Sequence, residues 1–151
     1  YKRCIFCTVT AEKGFGVVYE DENYVVFRDH NPAAAQHFLV VPKQHIDSIR
    51  TLNKEDVAMV KRMGEIGHNV LDELQIPMSA RRLGFHIPPF YSVKHIHLHV
   101  QATPYRSLLR RAKYPVVAGW AGYDKGLSWF VEVEQAVAIL EKGGRVKISS
   151  C

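Results

Sequence analysis

Cysteine and long apolar runs are both scarce in this sequence. Its 151 residues include three cysteines, and no apolar stretch approaches the length of a membrane-spanning helix. Three cysteines are too few, and odd in number, for the disulfide framework of a small secreted protein. The N-terminal residues lack the regions of a signal peptide, although the chain begins at Tyr1 rather than Met and an upstream segment is left open. We therefore expect a reducing compartment, the cytoplasm with the nucleus as a second location, and no membrane.

Acidic residues are fewer than basic ones. Fifteen Asp and Glu residues stand against twenty Lys and Arg residues, which gives a formal net charge of +5. The 47% of hydrophobic and 23% of charged residues are typical of a globular protein, and the length suits one domain with a real core. The basic charge would suit phosphate-bearing ligands, but many basic proteins bind none.

Periodic patterns predict the secondary structure. Asn53 is a favourable helix N-cap, and apolar residues then recur at helical spacing before Pro77, which predicts one long amphipathic helix at about 54–74. Apolar and β-branched runs predict strands, with Gly, Pro and Asn at the turns. The order is typical of an α+β fold, a sheet with one main helix on its face. The other predicted elements are a hairpin at 17–28, a buried strand at 37–41, strands at 81–86 and 93–101, a short strand at 128–131 and a closing helix at 133–141.

Three histidines alternate with three aliphatic residues at 95–100. Because a strand repeats its facing every two residues, the aliphatic side chains should enter a core while His95, His97 and His99 share the other face. Successive histidines on such a strand are about 6.6 Å apart, a spacing that can straddle one phosphate group. Two of them could share a zinc ion, or one could act as a nucleophile while its neighbours bind a phosphoryl group. A strand whose polar face is simply rich in histidine is the alternative without chemistry.

Cys4 and Cys7 form a C-x-x-C pair. A structural zinc site needs about four ligands, so two more would have to come from elsewhere in the chain. A redox-active pair would be followed by a βαβ unit, which the sequence does not indicate. The two cysteines alone therefore neither establish nor exclude a metal site.

The stretch from His95 to Gln101 reads His-φ-His-φ-His-φ-φ, where φ is apolar and Gln101 departs from the pattern. This is the signature of the histidine-triad family, and the sequence resembles that family in two further places. Phe27-Arg28-Asp29 is similar to its ribose-binding turn. Residues 37–45 are similar to a second sequence motif that the family has upstream of its histidines. The loop at 84–90 looks most like the nucleotide-binding proteins of this family in animals.

The resemblance covers about residues 4–101 and leaves 102–151 as a C-terminal extension of a single domain, 1–151. It implies the family's α+β fold, an antiparallel sheet of about five strands with one long helix and a C-terminal helix. It also implies a nucleotide-binding hydrolase of purine nucleoside 5′-phosphoramidates such as AMP-amines, and of acyl-nucleotides, the aminoacyl-adenylates such as lysyl-AMP. A homodimer or larger homo-oligomer is expected, catalysis should need no cofactor, and nucleic acid is not an expected partner.

The family's mechanism implies a role for five residues. His97 attacks phosphorus and forms a covalent nucleotidyl-histidine. The backbone carbonyl of His95 holds its other ring nitrogen, and an ordinary imidazole pKa near 6.5 already leaves the ring mostly neutral near pH 7. His99 hydrogen-bonds the phosphate oxygens, Ser92 lies near the leaving group, and His37 is a fourth, supporting histidine.

The resemblance also implies substrate-binding residues, among which His97 and His99 contact the phosphate. Asp29, with His30 beside it, should bind the ribose, because a carboxylate can accept two hydrogen bonds from a cis-diol. Capping the turn that follows is the alternative for Asp29. An apolar slot for the base is expected from Ile5, Phe6 and Phe27, although composition alone would place these three in the core.

The resemblance further implies a structural zinc ion, because some histidine-triad proteins add two histidines to such a cysteine pair. The matching ligands here are Cys4, Cys7, His45 and His95. His97 and His99 would stay free for catalysis. Two unligated thiols are the alternative.

Residues 88–91, Pro-Pro-Phe-Tyr, depart from the Gly-rich approach to the triad found in part of the family. Two prolines offer no amide hydrogen to a phosphate, so contacts to the leaving group are left open. Three other functions also stay open: a low-turnover nucleotide sensor or scaffold, a dinucleoside-polyphosphate or cap hydrolase, and the removal of adenylate from nucleic-acid ends, as in the relative aprataxin. The basic stretch at 106–113 permits the last of these, but a solvated face is the more common explanation.

Overall fold

The computed structural model describes residues 4–151, which form one antiparallel sheet with the two longer helices on one face. The strand order within this part of the chain is β1-β2-β3-β5-β4-β6. The strands are β1 (Val17–Glu20), β2 (Tyr24–Arg28), β3 (Ala34–Pro42), β4 (Arg81–His86), β5 (Leu98–Tyr105) and β6 (Phe130–Glu132), and the helices are α1 (Val57–Glu73), α2 (Leu108–Arg111) and α3 (Val133–Glu141).

Alternation along the central strand β3 separates two apolar layers. Phe38 and Val40 belong to the main core beneath α1 and α3, whereas Leu39 and Val41 belong to a smaller core on the opposite face. Both faces of β3 are therefore covered, which explains the continuous apolar run in its sequence. The smaller core supports the cavity described below.

Helix α1 is preceded by a short 3₁₀ turn, Lys54–Asp56, so the regular helix begins three residues later than predicted. The Asn53 side chain accepts a hydrogen bond from the amide of Glu55, while the Asp56 carboxylate accepts one from the amide of Asn53. This capping box satisfies amides that the first turn leaves free. At Gly67, an added Cβ would lie 2.8 Å from the side chain of Val100, so only glycine lets the helix approach β5 this closely.

The α+β class, the antiparallel sheet, the long helix and the C-terminal helix are confirmed. The sheet has a sixth strand, because β6 from the C-terminal extension pairs with β4 through Gly84 and Glu132. The histidine strand was predicted at 93–101, but β5 begins at Leu98 and continues to Tyr105. The reason is that the amide of Ile96 donates to the Ile46 carbonyl in a loop, at 2.7 Å, instead of to a strand.

Among residues 4–151, no helix combines the length and the apolar character needed to span a bilayer.

Candidate active site

A cavity of about 830 Å³ opens on the face of the sheet opposite α1. Ile96, Leu98 and Val100 are buried in the core beneath that helix, so the alternation predicted for this segment is confirmed. The side chains of His97 and His99 point the other way and line the cavity. The residues that line the cavity extend across the sheet from β2 to Trp129, just before β6.

His97 is held with one ring nitrogen bound and the other directed at the cavity. Its Nδ1 donates to the backbone carbonyl of His95 at 2.7 Å, which leaves the lone pair on Nε2. Burial lowers the pKa of His97 to about 4, so the ring is neutral at pH 7. The ring of Phe6 packs edge-on against it, with 5.3 Å between the ring centres. A neutral, buried imidazole with a fixed tautomer is the arrangement a nucleophile needs.

A chain of hydrogen bonds fixes the tautomers of two further histidines. The amide of Ala33 donates to His37 Nδ1 at 3.0 Å, so the ring proton of His37 is on Nε2. That nitrogen donates to His99 Nδ1 at 2.9 Å, and the proton of His99 is therefore on its own Nε2. The amide nitrogen of Gln101 also lies 3.4 Å from His37 Nε2. Both atoms are donors when His37 Nε2 carries the proton, so the shorter contact to His99 Nδ1 is the hydrogen bond.

The series of hydrogen bonds from Ala33 through His37 ends at His99, whose buried donor lacks a partner among the described residues. His99 Nε2 has no hydrogen bond within the described part of the chain, although the residue lines the cavity. An unpaired buried N–H is costly, and a ligand that accepts from it relieves that cost. Burial holds the pKa of His99 well below its usual value and lowers that of His37 to about 4, against the opposing charge of Asp29. His99 Nε2–H is therefore a neutral donor that no group among the described residues satisfies.

Asp29 caps a turn, as the alternative interpretation predicted. Its Oδ1 accepts from the amide of Asn31 at 2.9 Å, while Oδ2 lies 3.4 Å from His37 Nε2. Asp29 and His30 both line the cavity, and the side chain of His30 is almost fully exposed. The turn-capping contact leaves lone pairs on the carboxylate, so ribose binding stays a prediction.

Three aromatic rings form an apolar slot at one end of the cavity. Phe6 and Phe27 are buried in the smaller core and also line the cavity, so the core position and the pocket position expected from the sequence coincide. Phe15, which the sequence did not single out, packs against Phe27 with 4.9 Å between the ring centres. Ile5 is more than half exposed at the edge of this slot, and Ser92 is exposed at the rim of the cavity.

His86 and Tyr114 also line the cavity, and sequence reasoning missed both. The ring of His86 is 4.8 Å from that of His99, and its Nε2 donates to the backbone carbonyl of Lys113 at 2.7 Å. A signal for His86 existed: it follows Phe85, a core residue, so alternation along the strand directs it to the cavity face. Tyr114 lies in the C-terminal extension, where no pattern singled it out.

Cys4, Cys7, His45 and His95 come together beside the cavity, with their four candidate ligand atoms all within 4.8 Å of one another. Cys4 Sγ is 3.4 Å from His95 Nδ1, and Cys7 Sγ is 3.3 Å from His45 Nδ1. With Zn–S near 2.3 Å and Zn–N near 2.0–2.1 Å, a tetrahedral site separates sulfur from nitrogen by about 3.5 Å. The donor set and its spacing therefore fit zinc.

Both histidines of this cluster are oriented by their second ring nitrogen. His95 Nε2 donates to the Pro42 carbonyl at 2.8 Å, and His45 Nε2 donates to the Asp47 carboxylate at 3.0 Å. Each Nδ1 is thereby left with its lone pair directed at the sulfur atoms. Metal-binding histidines in proteins are held in this way.

Comparison with known proteins agrees with this geometry. A family model described as "Scavenger mRNA decapping enzyme C-term binding" matches residues 3–114. The chain is 40% identical over 145 residues to the zebrafish (Danio rerio) protein "Adenosine 5'-monophosphoramidase HINT3", covering 94% of this chain and 84% of that one. It is 33% identical to zebrafish "Aprataxin", covering 87% of this chain but 38% of that one.

Solved structures share the fold. A HIT family hydrolase from Legionella pneumophila superposes with a TM-score of 0.62 at 29% identity, covering 70% of this chain and 97% of the other. The matched sequence, the shared fold and the three histidines of the signature lead to one assignment. The chain belongs to the histidine-triad family.

Proposed function

We propose that this protein hydrolyses purine nucleoside 5′-phosphoramidates through a nucleotidyl-enzyme intermediate on His97. One observation carries the proposal: His97 Nε2 has its lone pair free toward the cavity because Nδ1 is bound to the His95 carbonyl. The printed name of the zebrafish relative, an adenosine 5′-monophosphoramidase, supports the same reaction class. We propose AMP-amines as the phosphoramidate substrates and aminoacyl-adenylates, which are acyl phosphates, as a second substrate form.

The first step forms one bond and breaks another. His97 Nε2 attacks the phosphorus, the P–N bond of an AMP-amine breaks, and the leaving nitrogen takes a proton from solvent and departs as an amine. With an aminoacyl-adenylate the P–O bond breaks instead, and a carboxylate departs without a proton. The imidazole of the intermediate becomes cationic, because Nδ1 keeps its hydrogen, and the His95 carbonyl stabilises that charge. Water then attacks the phosphorus and loses a proton to solvent, the P–N bond to His97 breaks, and the ring returns to its neutral form as the nucleoside monophosphate is released.

His99 and His37 are proposed to stabilise the transition state. The Nε2–H of His99 would donate to a non-bridging phosphate oxygen, which gives this buried donor the partner it lacks. His37 acts through His99, since it fixes the tautomer that places the hydrogen on Nε2. Removal of one such donor typically lowers kcat by about a hundredfold or more.

The remaining cavity residues would position the nucleotide. The purine is proposed to enter the slot beside Phe6, Phe15 and Phe27, where aromatic rings can pack on the base. Asp29 would accept from the ribose hydroxyls, and Ser92 would lie near the leaving group. The positions of these side chains around the cavity support these assignments.

Two alternatives receive less support. Adenylate removal from nucleic-acid ends rests on the similarity to aprataxin, of which the chain covers 38%. In the basic stretch at 106–113, Arg110 hydrogen-bonds the side chain of Asn31 and the carbonyl of Pro32, so this cation is already bound within the protein. A low-turnover sensor would use the same nucleophile, and it differs by forming the intermediate without hydrolysing it.

Substrate profiling tests the proposal. Adenosine and guanosine 5′-phosphoramidates are compared with diadenosine polyphosphates and adenylated DNA ends, in wild type and in His97→Asn. We expect turnover of the phosphoramidates, its loss in His97→Asn, and full activity in the matched control His68→Asn, whose ring lies on α1 and contacts Arg81. Faster hydrolysis of polyphosphates or DNA ends by wild type would refute the substrate assignment.

We also propose that Cys4, Cys7, His45 and His95 hold one structural zinc ion. When bound, the metal would tie the N-terminal turn to the segment that precedes β5. Metal analysis of protein purified without chelator should find one zinc per chain, and Cys4→Ser should unfold at lower temperature. A zinc content far below one, with Cys4→Ser as stable as wild type, would retire this site.

A homodimer stays a prediction from the family resemblance. Strand β6 pairs with one side of β4, and α3 packs against α1. A pair formed through a sheet edge would therefore use β1 or the outer side of β6.

A further inference from the structure

Two aromatic side chains from distant parts of the sequence meet at the rim of the cavity. Phe90 belongs to the loop after β4, and Trp129 belongs to the C-terminal extension just before β6. Their ring centres are 5.8 Å apart and their planes are tilted by 41°. Both line the cavity, yet 53% of Phe90 and 39% of Trp129 is exposed. We call this pair the aromatic shelf.

The backbone holds the shelf in place. The amide of Ile87 donates to the carbonyl of Trp129 at 2.9 Å, which ties the two loops together. On the other side, the amide of Ser128 donates to the Ile148 carbonyl. The buried ammonium of Lys125 adds hydrogen bonds to the backbone carbonyls of Gly126, Lys147 and Ile148. An exposed apolar surface that is fixed in this way is preorganised to receive a ligand.

Sheet topology separates the shelf from the base slot. Phe27 lies on β2 and Leu39 on β3, and both line the slot end of the cavity. Next comes β5, which carries His99 and directly follows His97, then β4 with His86, then β6 with Trp129 just before it. A nucleotide whose base occupies the slot and whose phosphorus meets His97 therefore has the shelf on the far side of its phosphorus. That is where a group attached to the phosphorus would extend.

The size of the cavity agrees with a second occupant. Pockets for drug-sized ligands span about 300–1,000 Å³, and this cavity, at about 830 Å³, is near the upper end. Single exposed aromatic residues are common on protein surfaces and need no explanation. Two of them in contact, fixed by backbone hydrogen bonds and facing the same cavity as the nucleophile, form a binding surface.

We propose that the aromatic shelf is the leaving-group subsite and that it favours phosphoramidates whose amine carries a planar aromatic ring. This inference rests on the proposed function and adds the chemistry of the amine. The ring of the amine would pack on the exposed faces of Phe90 and Trp129. Base–aromatic stacking of this kind changes affinity by about tenfold.

Two substrates that share the same CH₂–CH₂–N link test the shelf: the adenosine 5′-phosphoramidates of 2-phenylethylamine and of ethylamine. In wild type, kcat/KM should be about tenfold higher for the phenylethyl substrate, in line with ring stacking. In Trp129→Leu and Phe90→Leu the ratio should fall to about threefold or less, with the ethylamine substrate little affected. Trp129→Tyr should restore most of the preference, since it keeps a ring.

Trp120→Leu is the matched control, because Trp120 is more exposed than Trp129 and lies outside the cavity lining. Equal kcat/KM values for the two substrates in wild type, or a preference that survives both leucine variants, would overturn the shelf. Failure of wild type to hydrolyse either substrate would instead refute the proposed function. In that case the Kd values of the same two compounds are measured with His97→Asn and with His97→Asn/Trp129→Leu. Tighter binding of the phenylethyl compound that is lost with Trp129→Leu would support the aromatic shelf, and equal Kd values would refute it.

Discussion

Protonation of His97 should occur far below the pKa of an ordinary imidazole. Burial lowers the pKa of His97 to about 4, whereas an imidazole in water has a pKa near 6.5. At pH 5, a ring with a pKa of about 4 is about nine tenths neutral, and a ring with a pKa of about 6.5 is only about one thirtieth neutral. Because only the neutral ring can attack, burial preserves about 30 times more nucleophile at that pH.

The same burial makes the stability of the fold depend on pH. The pKa of His97 is lower in the folded chain than in the unfolded chain, so acid drives proton uptake by the unfolded chain. Its contribution is therefore complete above about pH 6.5 and is lost as the pH falls toward about 4. The two pKa values correspond to about 3 kcal/mol over that window. His37, whose pKa burial also lowers to about 4, acts in the same direction.

Phe6→Ser is the perturbation that isolates this effect, because the Phe6 ring packs directly on His97 and a serine admits water. We expect the pKa of His97 to rise by about one unit or more. Phe15→Ser is the control, since Phe15 contacts Phe6 and Phe27 in the same slot. NMR titration of the ring nitrogens reports both the pKa and the tautomer. A wild-type pKa near 6.5, or equal shifts in the two variants, would refute the reasoning.

Three further predictions concern packing, metal and assembly. A Cβ at Gly84 would lie 2.4 Å from both the Phe130 ring and the Val131 carbonyl oxygen, so Gly84→Ala should lower the free energy of unfolding by about 3 kcal/mol. Gly64→Ala, whose nearest neighbour is at 3.2 Å, should cost less than half as much, and equal losses in chemical denaturation would contradict this packing. Chelation of the proposed zinc should raise KM for phosphoramidates more than it lowers kcat, because the cysteine pair flanks the wall of the base slot. Steady-state kinetics before and after zinc is restored measure both parameters. A fall in kcat with an unchanged KM would contradict this prediction. Light scattering at micromolar concentration should show a homodimer of about 34 kDa, and a single 17.2 kDa species would exclude it.

Local periodicity was enough to predict the elements that carry the core. The helical spacing after Asn53 predicted 54–74, and α1 spans Val57–Glu73 after one 3₁₀ turn. Alternation at 95–100 predicted which side chains enter the core and which face the cavity. These predictions succeeded because facing and burial follow from neighbours a few residues apart.

The rest of the site depends on contacts between distant segments, which no local pattern encodes. The tautomer of His99 is fixed by Ala33 through His37, more than sixty positions away in the sequence. Strand β6 is only three residues long, and its pairing with β4 brings Trp129 to the cavity. The predicted start of the histidine strand was wrong for the same reason, since a loop carbonyl at Ile46 takes the amide of Ile96.

Direct observation of the intermediate tests the central claim. Wild-type protein is mixed rapidly with an adenosine 5′-phosphoramidate, quenched without acid, and its intact mass is measured. The account predicts a transient increase equal to one adenylyl group, located on His97 by peptide mapping, and no such species in His97→Asn, whose turnover should fall by about a thousandfold or more. Turnover without any adduct on His97, or a His97→Asn variant that keeps a tenth of wild-type activity, would contradict it.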